Sequence, residues 1–155
     1  MSDAVKIREA ISADISSILE LDQRSAGLAH WTPQEYIRVV ANKASHSVLV
    51  AESGNGTLIG FLAGRRIGDE WDLENIVVEA SRQKQGVAGR LLSAFIDLVG
   101  RERAKSIHLE VRFSNVAAIA LYSKFGFAQN GSRKSYYSDP AEDAILFSLS
   151  LENSS

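Results

Sequence analysis

NIVVEASRQKQGVAGRLLSAFI, residues 75–96, carries an apolar run into a turn of small and basic residues and out again into a long amphipathic stretch. Ile76, Val77 and Val78 read as the end of a strand. Leu91, Leu92, Phe95, Ile96, Leu98 and Val99 form one wide apolar stripe at helical spacing. The strand-to-helix junction between them is Gln83, Lys84, Gln85, Gly86, Val87, Ala88 and Gly89. A helix N-terminus presents unpaired N–H groups and the positive end of the helix dipole. Small residues let an anion approach that backbone closely, and Lys84 and Arg90 add charge. On these residues alone the stretch is either a plain tight turn or a cradle for phosphate. It is not a P-loop, because no Gly-Lys-Ser/Thr follows, and its spacing is not the Gly-x-Gly-x-x-Gly of a dinucleotide fold.

Upstream, WDLENIVVE places Trp71 and Leu73 at odd positions and Ile76 and Val78 at even ones. A β-bulge produces such a parity slip; a strand buried on both faces is the other reading. Further back, Thr57 to Arg65 and Ser47 to Ser53 flank Gly54-Asn55-Gly56 and predict a β-hairpin. Thr32-Pro33-Gln34-Glu35 is a helix start with a capping box, and Tyr36, Val39 and Val40 follow on one face. Asp14 to Arg24 has Ile15, Ile18, Leu19 and Asp22 at helical spacing, and Val5 to Ile11 alternates as a half-buried strand does. Downstream, Ser106 to Arg112 alternates, with Ile107, Leu109 and Val111 opposed to His108, Glu110 and Arg112. A helix capped by Ser114 or Asn115 runs to a stop at Gly126. Two strands around SDPAED close the chain, and ENSS is expected to fray. Strands and helices interleave first and a hairpin ends the chain, so the sheet is mixed.

The 155 residues suit one domain, residues 1–155 with a core from 5 to 151. There is no Cys, which excludes disulfides, thiolate nucleophiles and Cys-based zinc sites and fits a reducing compartment. His30, His46 and His108 lie far apart without metal-ligand spacing, so no metal is expected. A net charge of −2 gives no nucleic-acid surface. MSDAVKIREA lacks an apolar signal core and no run is long enough to span a bilayer, so a soluble cytoplasmic protein away from membranes is expected.

Several side chains have two readings each. Glu110 is a surface carboxylate paired with Arg112 or His108, or a general base. Tyr122 shares a helix face with Asn115 and Ile119 and is a core aromatic or a proton donor. Asn115 is a helix cap and a possible ligand-binding amide. Tyr136 and Tyr137 pack a hairpin or line a slot. Glu142 and Asp143 form a solvated turn, favoured for Glu142, or face a cationic substrate terminus.

The order of bulged strand, Gln-x-x-Gly-x-Ala turn, amphipathic helix, LEVR, SN and ALYSKFGF resembles the GNAT superfamily of N-acetyltransferases. The resemblance runs from about Val5 to Leu151 and is most specific from Trp71 onward. LEVRFSNVAAIALYSKFGF and RKSYYSDPAEDAIL are similar to the ribosomal-protein-alanine N-acetyltransferases (the RimI type). The Tyr-Tyr … Glu-Asp-Ala pattern is similar to catalytic subunits of eukaryotic N-terminal acetyltransferases. The chain departs from the pattern at Ala88, which stands for a second glycine, at AHWTPQEY in place of a Pro-Trp element, and at Asn130-Gly131 inside a strand.

The resemblance implies a mixed α/β GNAT fold with a mostly antiparallel sheet of six to seven strands, a bulged fourth strand and about four helices. It implies that Gln83 to Gly89 hold the pyrophosphate of acetyl-coenzyme A. Ile76, Val77 and Val78 would offer backbone groups to its pantetheine arm, and Asn115 its amide. Glu110 would be the general base, Tyr122 the acid that protonates the departing thiolate, and Tyr136 and Tyr137 the walls of the peptide slot. The reaction implied is direct transfer of acetyl from acetyl-coenzyme A to a protein N-terminal amine, with a ribosomal protein as a candidate acceptor. A small-molecule amine acetyltransferase and a non-enzymatic coenzyme A sensor are the alternatives.

Overall fold

The computed structural model describes residues 4–25, 31–138 and 141–151. Seven strands form one sheet in the order β1-β2-β3-β4-β5-β7-β6. They are β1 (Lys6–Glu9), β2 (His46–Glu52), β3 (Leu58–Ile67), β4 (Glu70–Val78), β5 (Ser106–Arg112), β6 (Ala128–Tyr137) and β7 (Glu142–Ser150). Every neighbouring pair is antiparallel except β4 and β5. Four α-helices, α1 (Ile15–Arg24), α2 (Pro33–Ala41), α3 (Val87–Arg101) and α4 (Val116–Lys124), cover it. This is the mixed α/β architecture expected.

The first strand is shorter than its alternation predicts. The Asp14 carboxylate receives two bonds from the Arg8 guanidinium, at 2.8 and 2.9 Å, and the Ile11 N–H at 2.8 Å. This turns the chain at Ala10 and leaves Ile11 exposed. The α2 start is as expected: Thr32 Oγ1 accepts the Glu35 N–H at 3.2 Å, and Glu35 Oε1 accepts the Thr32 N–H at 3.0 Å.

Both readings of WDLENIVVE are correct, each for one half of the strand. Asn75 lies opposite Ala63 and Leu73 opposite Gly64, so Glu74 is the extra residue of a bulge. Trp71 and Leu73 before it, and Ile76 and Val78 after it, join the same core beneath α3. Val77 is buried in the second core, under α1 and α2. Among the described residues the second core draws on α1, Trp31 and α2, the segment around Ala10 and strands β2, β3 and β4. Among the described residues, the same face of β5 and its neighbours has no helical cover.

The pair Asn130-Gly131 has a comparable explanation. Gln129 lies opposite Phe147 and Gly131 opposite Leu146, so Asn130 is bulged and donates its amide to Ser148 Oγ at 3.0 Å. The expectations for ENSS and for the Asp139-Pro140 part of SDPAED fall outside the described residues.

α3 packs on β3 closely enough to dictate a glycine. A Cβ on Gly64 would stand 2.5 Å from Phe95 Cε1. Phe95 is fully buried and meets Trp71 edge to face at 5.8 Å. Gly64→Ala should therefore lose about 1–3 kcal/mol of stability, the usual cost of overpacking, measured by urea denaturation; an unchanged midpoint would show that Phe95 is free to move.

Candidate active site

β4 and β5 pair over only three positions, Glu70 with Ser106, Trp71 with Ile107 and Asp72 with His108. Beyond the Glu74 bulge they part, β4 staying with β3 and β5 with β7. The backbone groups in the split follow from register. The Glu79 N–H bonds the Ile59 carbonyl at 2.8 Å. Alternation along the antiparallel ladder then aims Val77 at β3, and Ile76 and Val78 away from it, into the split. On the other wall the Leu151 N–H bonds the Lys105 carbonyl at 2.8 Å and the Phe113 N–H bonds the Asp143 carbonyl at 3.1 Å. The backbone groups of Glu110 and Arg112 therefore face the split as well.

A cleft of about 860 Å³ opens there, lined among others by Trp31, Glu74, Asn75, Glu110, Tyr122 and Tyr137. Glu110 projects from the uncovered face of β5. Tyr122 comes from α4 on the opposite face, where it packs against the core beneath α3 and on Phe127 with ring centroids 5.7 Å apart. The split brings both side chains to one cleft. Burial pushes the Tyr122 phenol up to about 12, and Tyr137 nearby adds to the effect, so its proton is retained at neutral pH.

Glu110 does not pair with Arg112 or His108, as its local spacing suggested. Its carboxylate meets Arg133 of β6 at 3.4 Å. His108 turns to Ser106 Oγ, at 2.9 Å, and to Glu70, at 3.5 Å. Arg112 pairs with Glu142 at 2.8 Å, and Glu142 also accepts the Ser114 N–H at 2.7 Å. Glu142 is thus not a turn residue, as favoured from sequence, but the first residue of β7, its carboxylate engaged by Arg112 and Ser114. The Ser114 and Arg112 bonds hold its carboxyl below the usual range. Asp143 is also engaged, accepting the Ser135 N–H at 2.9 Å.

Tyr136 and Tyr137 both line the cleft, edge to face at 5.2 Å. Arg133 lies over the Tyr136 ring at 5.2 Å and Arg112 over the Tyr137 ring at 4.6 Å. Burial, with Glu110 nearby, pushes the Tyr137 phenol up. Arg112, Arg133, Trp31, Asn75 and Glu74 are cleft residues not singled out from sequence. Arg112 gave a local signal by sharing a strand face with Glu110, and Glu74 and Asn75 stand where the parity of WDLENIVVE slips. Partial burial raises the Glu74 carboxyl, with Arg65 opposing.

Gln83 to Gly89 stand apart from this cleft, at the start of α3. Lys84 and Gly86 have positive φ, +64° and +83°. Gly86 is the N-cap and provides no side-chain bond, so the N–H groups of Val87, Ala88 and Gly89 are the open donors of the first turn. The Gln83 amide donates to the Val78 carbonyl at 3.2 Å, which ties this turn to the end of β4. Gln85 Oε1 accepts from Arg82 at 2.9 Å. Asn115 caps α4, accepting the Ala118 N–H at 3.2 Å, and also lines the cleft. An elongated ligand with an anionic middle fits this arrangement, its charge on the α3 turn and its arm along Ile76 and Val78. Among the described residues no group of three or more His, Asp or Glu side chains is placed to hold a metal. None of the described helices is long and apolar enough to cross a membrane.

The model of the Acetyltransferase (GNAT) family matches residues 13–127. The [ribosomal protein bS18]-alanine N-acetyltransferase of Escherichia coli (strain K12) is 32% identical over 142 residues, 90% of this chain and 93% of that protein. The N-alpha-acetyltransferase RimI of Mycobacterium tuberculosis is 34% identical over 148 residues, 92% of this chain and 90% of that one. The crystal structure of the ribosomal-protein-S18-alanine N-acetyltransferase from Escherichia coli superimposes with a TM-score of 0.87 at 28% identity, covering 98% of this chain and 97% of that chain.

Proposed function

Since the chain belongs to the GNAT acetyltransferase family, whose members use acetyl-coenzyme A, we propose that it acetylates the N-terminal α-amine of a protein in the cytoplasm, with the N-terminal alanine of a ribosomal protein as the first acceptor to test. The observation that carries this reading is the split between β4 and β5, where Glu110 and Tyr122 enter one cleft from opposite faces, beside the Tyr136–Tyr137 wall. Likeness to the bS18-alanine enzymes supports the choice of acceptor.

Val87, Ala88 and Gly89 N–H groups, with Lys84, hold the pyrophosphate; Ile76 and Val78 line the pantetheine arm, and Asn115 adds its amide, whereas Val77, expected beside the arm from its place in the sequence, is turned to β3 and buried in the second core. Glu110 takes a proton from the acceptor ammonium, which displaces Arg133 from the carboxylate. The free amine attacks the thioester carbonyl. Backbone N–H groups in the split stabilise the oxyanion, the C–S bond breaks, the Tyr122 phenol passes its proton to the thiolate, and the second proton shed by the acylated nitrogen returns through water to restore the phenol. No acyl-enzyme forms. Alignment of amine and thioester supplies most of the acceleration. An α-amine with a pKa of about 7.7–8.0 asks less of Glu110 than a lysine at about 10.4.

The test compares two forms of one alanine-starting peptide, one with a free N-terminus and one blocked but carrying an internal lysine. The free form should be the better substrate. A faster blocked peptide, or a polyamine faster than both, would replace the reading with a side-chain or small-amine acetyltransferase. Bound coenzyme A without turnover of any amine would make the protein a sensor. Tyr137→Ala should raise KM for the free peptide by roughly tenfold, as expected for losing an aromatic wall and its hydroxyl, and leave acetyl-coenzyme A binding unchanged. A shift in acetyl-coenzyme A binding instead would place Tyr137 on the donor side.

A further inference from the structure

Asp22 and Tyr36 lie beneath the acceptor wall, outside the chemistry above. Each is 1% exposed. Asp22 Oδ2 accepts the Tyr36 phenol at 2.8 Å and the Trp31 N–H at 3.2 Å. Trp31 lines the cleft and packs on the Tyr36 ring at 5.1 Å. The surrounding core is apolar, with Ile18, Leu21, Val39 and Phe61, and burying a carboxylate there is costly unless hydrogen bonds offset its desolvation. An apolar residue would fill the space, but it would accept no bond from Trp31 or Tyr36.

We propose that Asp22 and Tyr36 are positioning residues for the acceptor: one buried carboxylate oxygen holds the Trp31 backbone directly and, through the anchored Tyr36 ring, the Trp31 indole in a fixed place on the cleft wall. This rests on the acceptor reading above, and it touches neither the α3 turn nor the β4 groups that face the donor. The pair therefore governs acceptor affinity and leaves donor affinity alone.

Tyr36→Phe removes only the hydroxyl. It should raise KM for the alanine-starting peptide about fivefold, the worth of one hydrogen bond, with KM for acetyl-coenzyme A within about twofold. The variant also takes one bond from a buried carboxylate. Asp22→Asn combined with Tyr36→Phe removes that charge, so its melting temperature should recover while the peptide KM stays raised. A readout without turnover comes from 5-fluorotryptophan and ¹⁹F NMR, since the chain has two tryptophans, Trp31 and Trp71. Loss of the hydroxyl should broaden the Trp31 resonance and leave that of buried Trp71 sharp. An unchanged Trp31 resonance overturns the proposal. So does a peptide KM that returns to normal with stability in the double variant, or a rise in both KM values together. If the wild type acetylates no peptide, the acceptor reading fails, and the Trp31 resonance alone decides this one.

Discussion

Glu110→Gln and Tyr122→Phe are each expected to slow turnover by about 10²–10⁴-fold, the span of a lost general base or acid. The two losses should differ in their pH dependence. Glu110→Gln hurts most at low pH, where an acceptor amine of pKa about 7.7–8.0 is mostly ammonium and must be deprotonated on the enzyme. As pH rises the free amine becomes abundant and the deficit narrows. Tyr122 behaves otherwise. A group pushed up to about 12 stays protonated throughout the neutral range, so its contribution falls only as pH climbs towards that value. Tyr122→Phe should thus show a deficit that is flat from about pH 6 to about pH 9, with little change in acetyl-coenzyme A affinity. Glu74→Gln is the comparison for the base, because Glu74 is the cleft carboxylate whose own proton burial favours. Near-normal rates in both first variants would refute the assigned roles, and a collapse confined to Glu74→Gln would move the base to the bulge.

The second large effect is on the donor. Acetyl-coenzyme A at 100 times its dissociation constant should stabilise the protein by about 2.7 kcal/mol, visible as a rise in melting temperature. Gly86→Asp should abolish that rise. The residue sits at φ +83° with nothing within 4 Å of an added Cβ, and Asp is among the side chains that tolerate this conformation. The fold should survive while a carboxylate occupies the place proposed for phosphate. Gly86→Asn, of the same shape without the charge, should retain most of the shift. An equal shift in the Asp variant would leave the turn as a plain connection and remove it from the donor site.

The parts legible from sequence were those written in local order. The parity change around Glu74 gave the bulge, Thr32 and Glu35 gave a capping box, and the apolar stripe from Leu91 to Val99 gave α3 and its turn. Each depends on residues a few positions apart. What escaped depends on partners brought together by topology. Glu110 meets Arg133 and Arg112 meets Glu142 because β7 runs beside β5 and β6 beside β7. Spacing along one strand could not choose among them. Asn130 reads as a turn residue, and only the ladder to β7 shows that it is a bulge. The buried tie from Asp22 to Tyr36 looked like one more position in a helical stripe, because periodicity does not distinguish a carboxylate with buried partners from one facing water.

The parting of β4 from β5 also has a mechanical side. The sheet behaves as two plates, β1 to β4 and β5 to β7, stitched along a seam of three residue pairs and backed on one face only by the core under α3. Unsatisfied backbone groups along an open seam invite whatever can bond to them, as an exposed strand edge does. The pantetheine arm, with amides of its own, would serve as a temporary strand between the plates. In this picture the donor finishes a fabric that the chain leaves unsewn, and each release of coenzyme A unpicks the stitch.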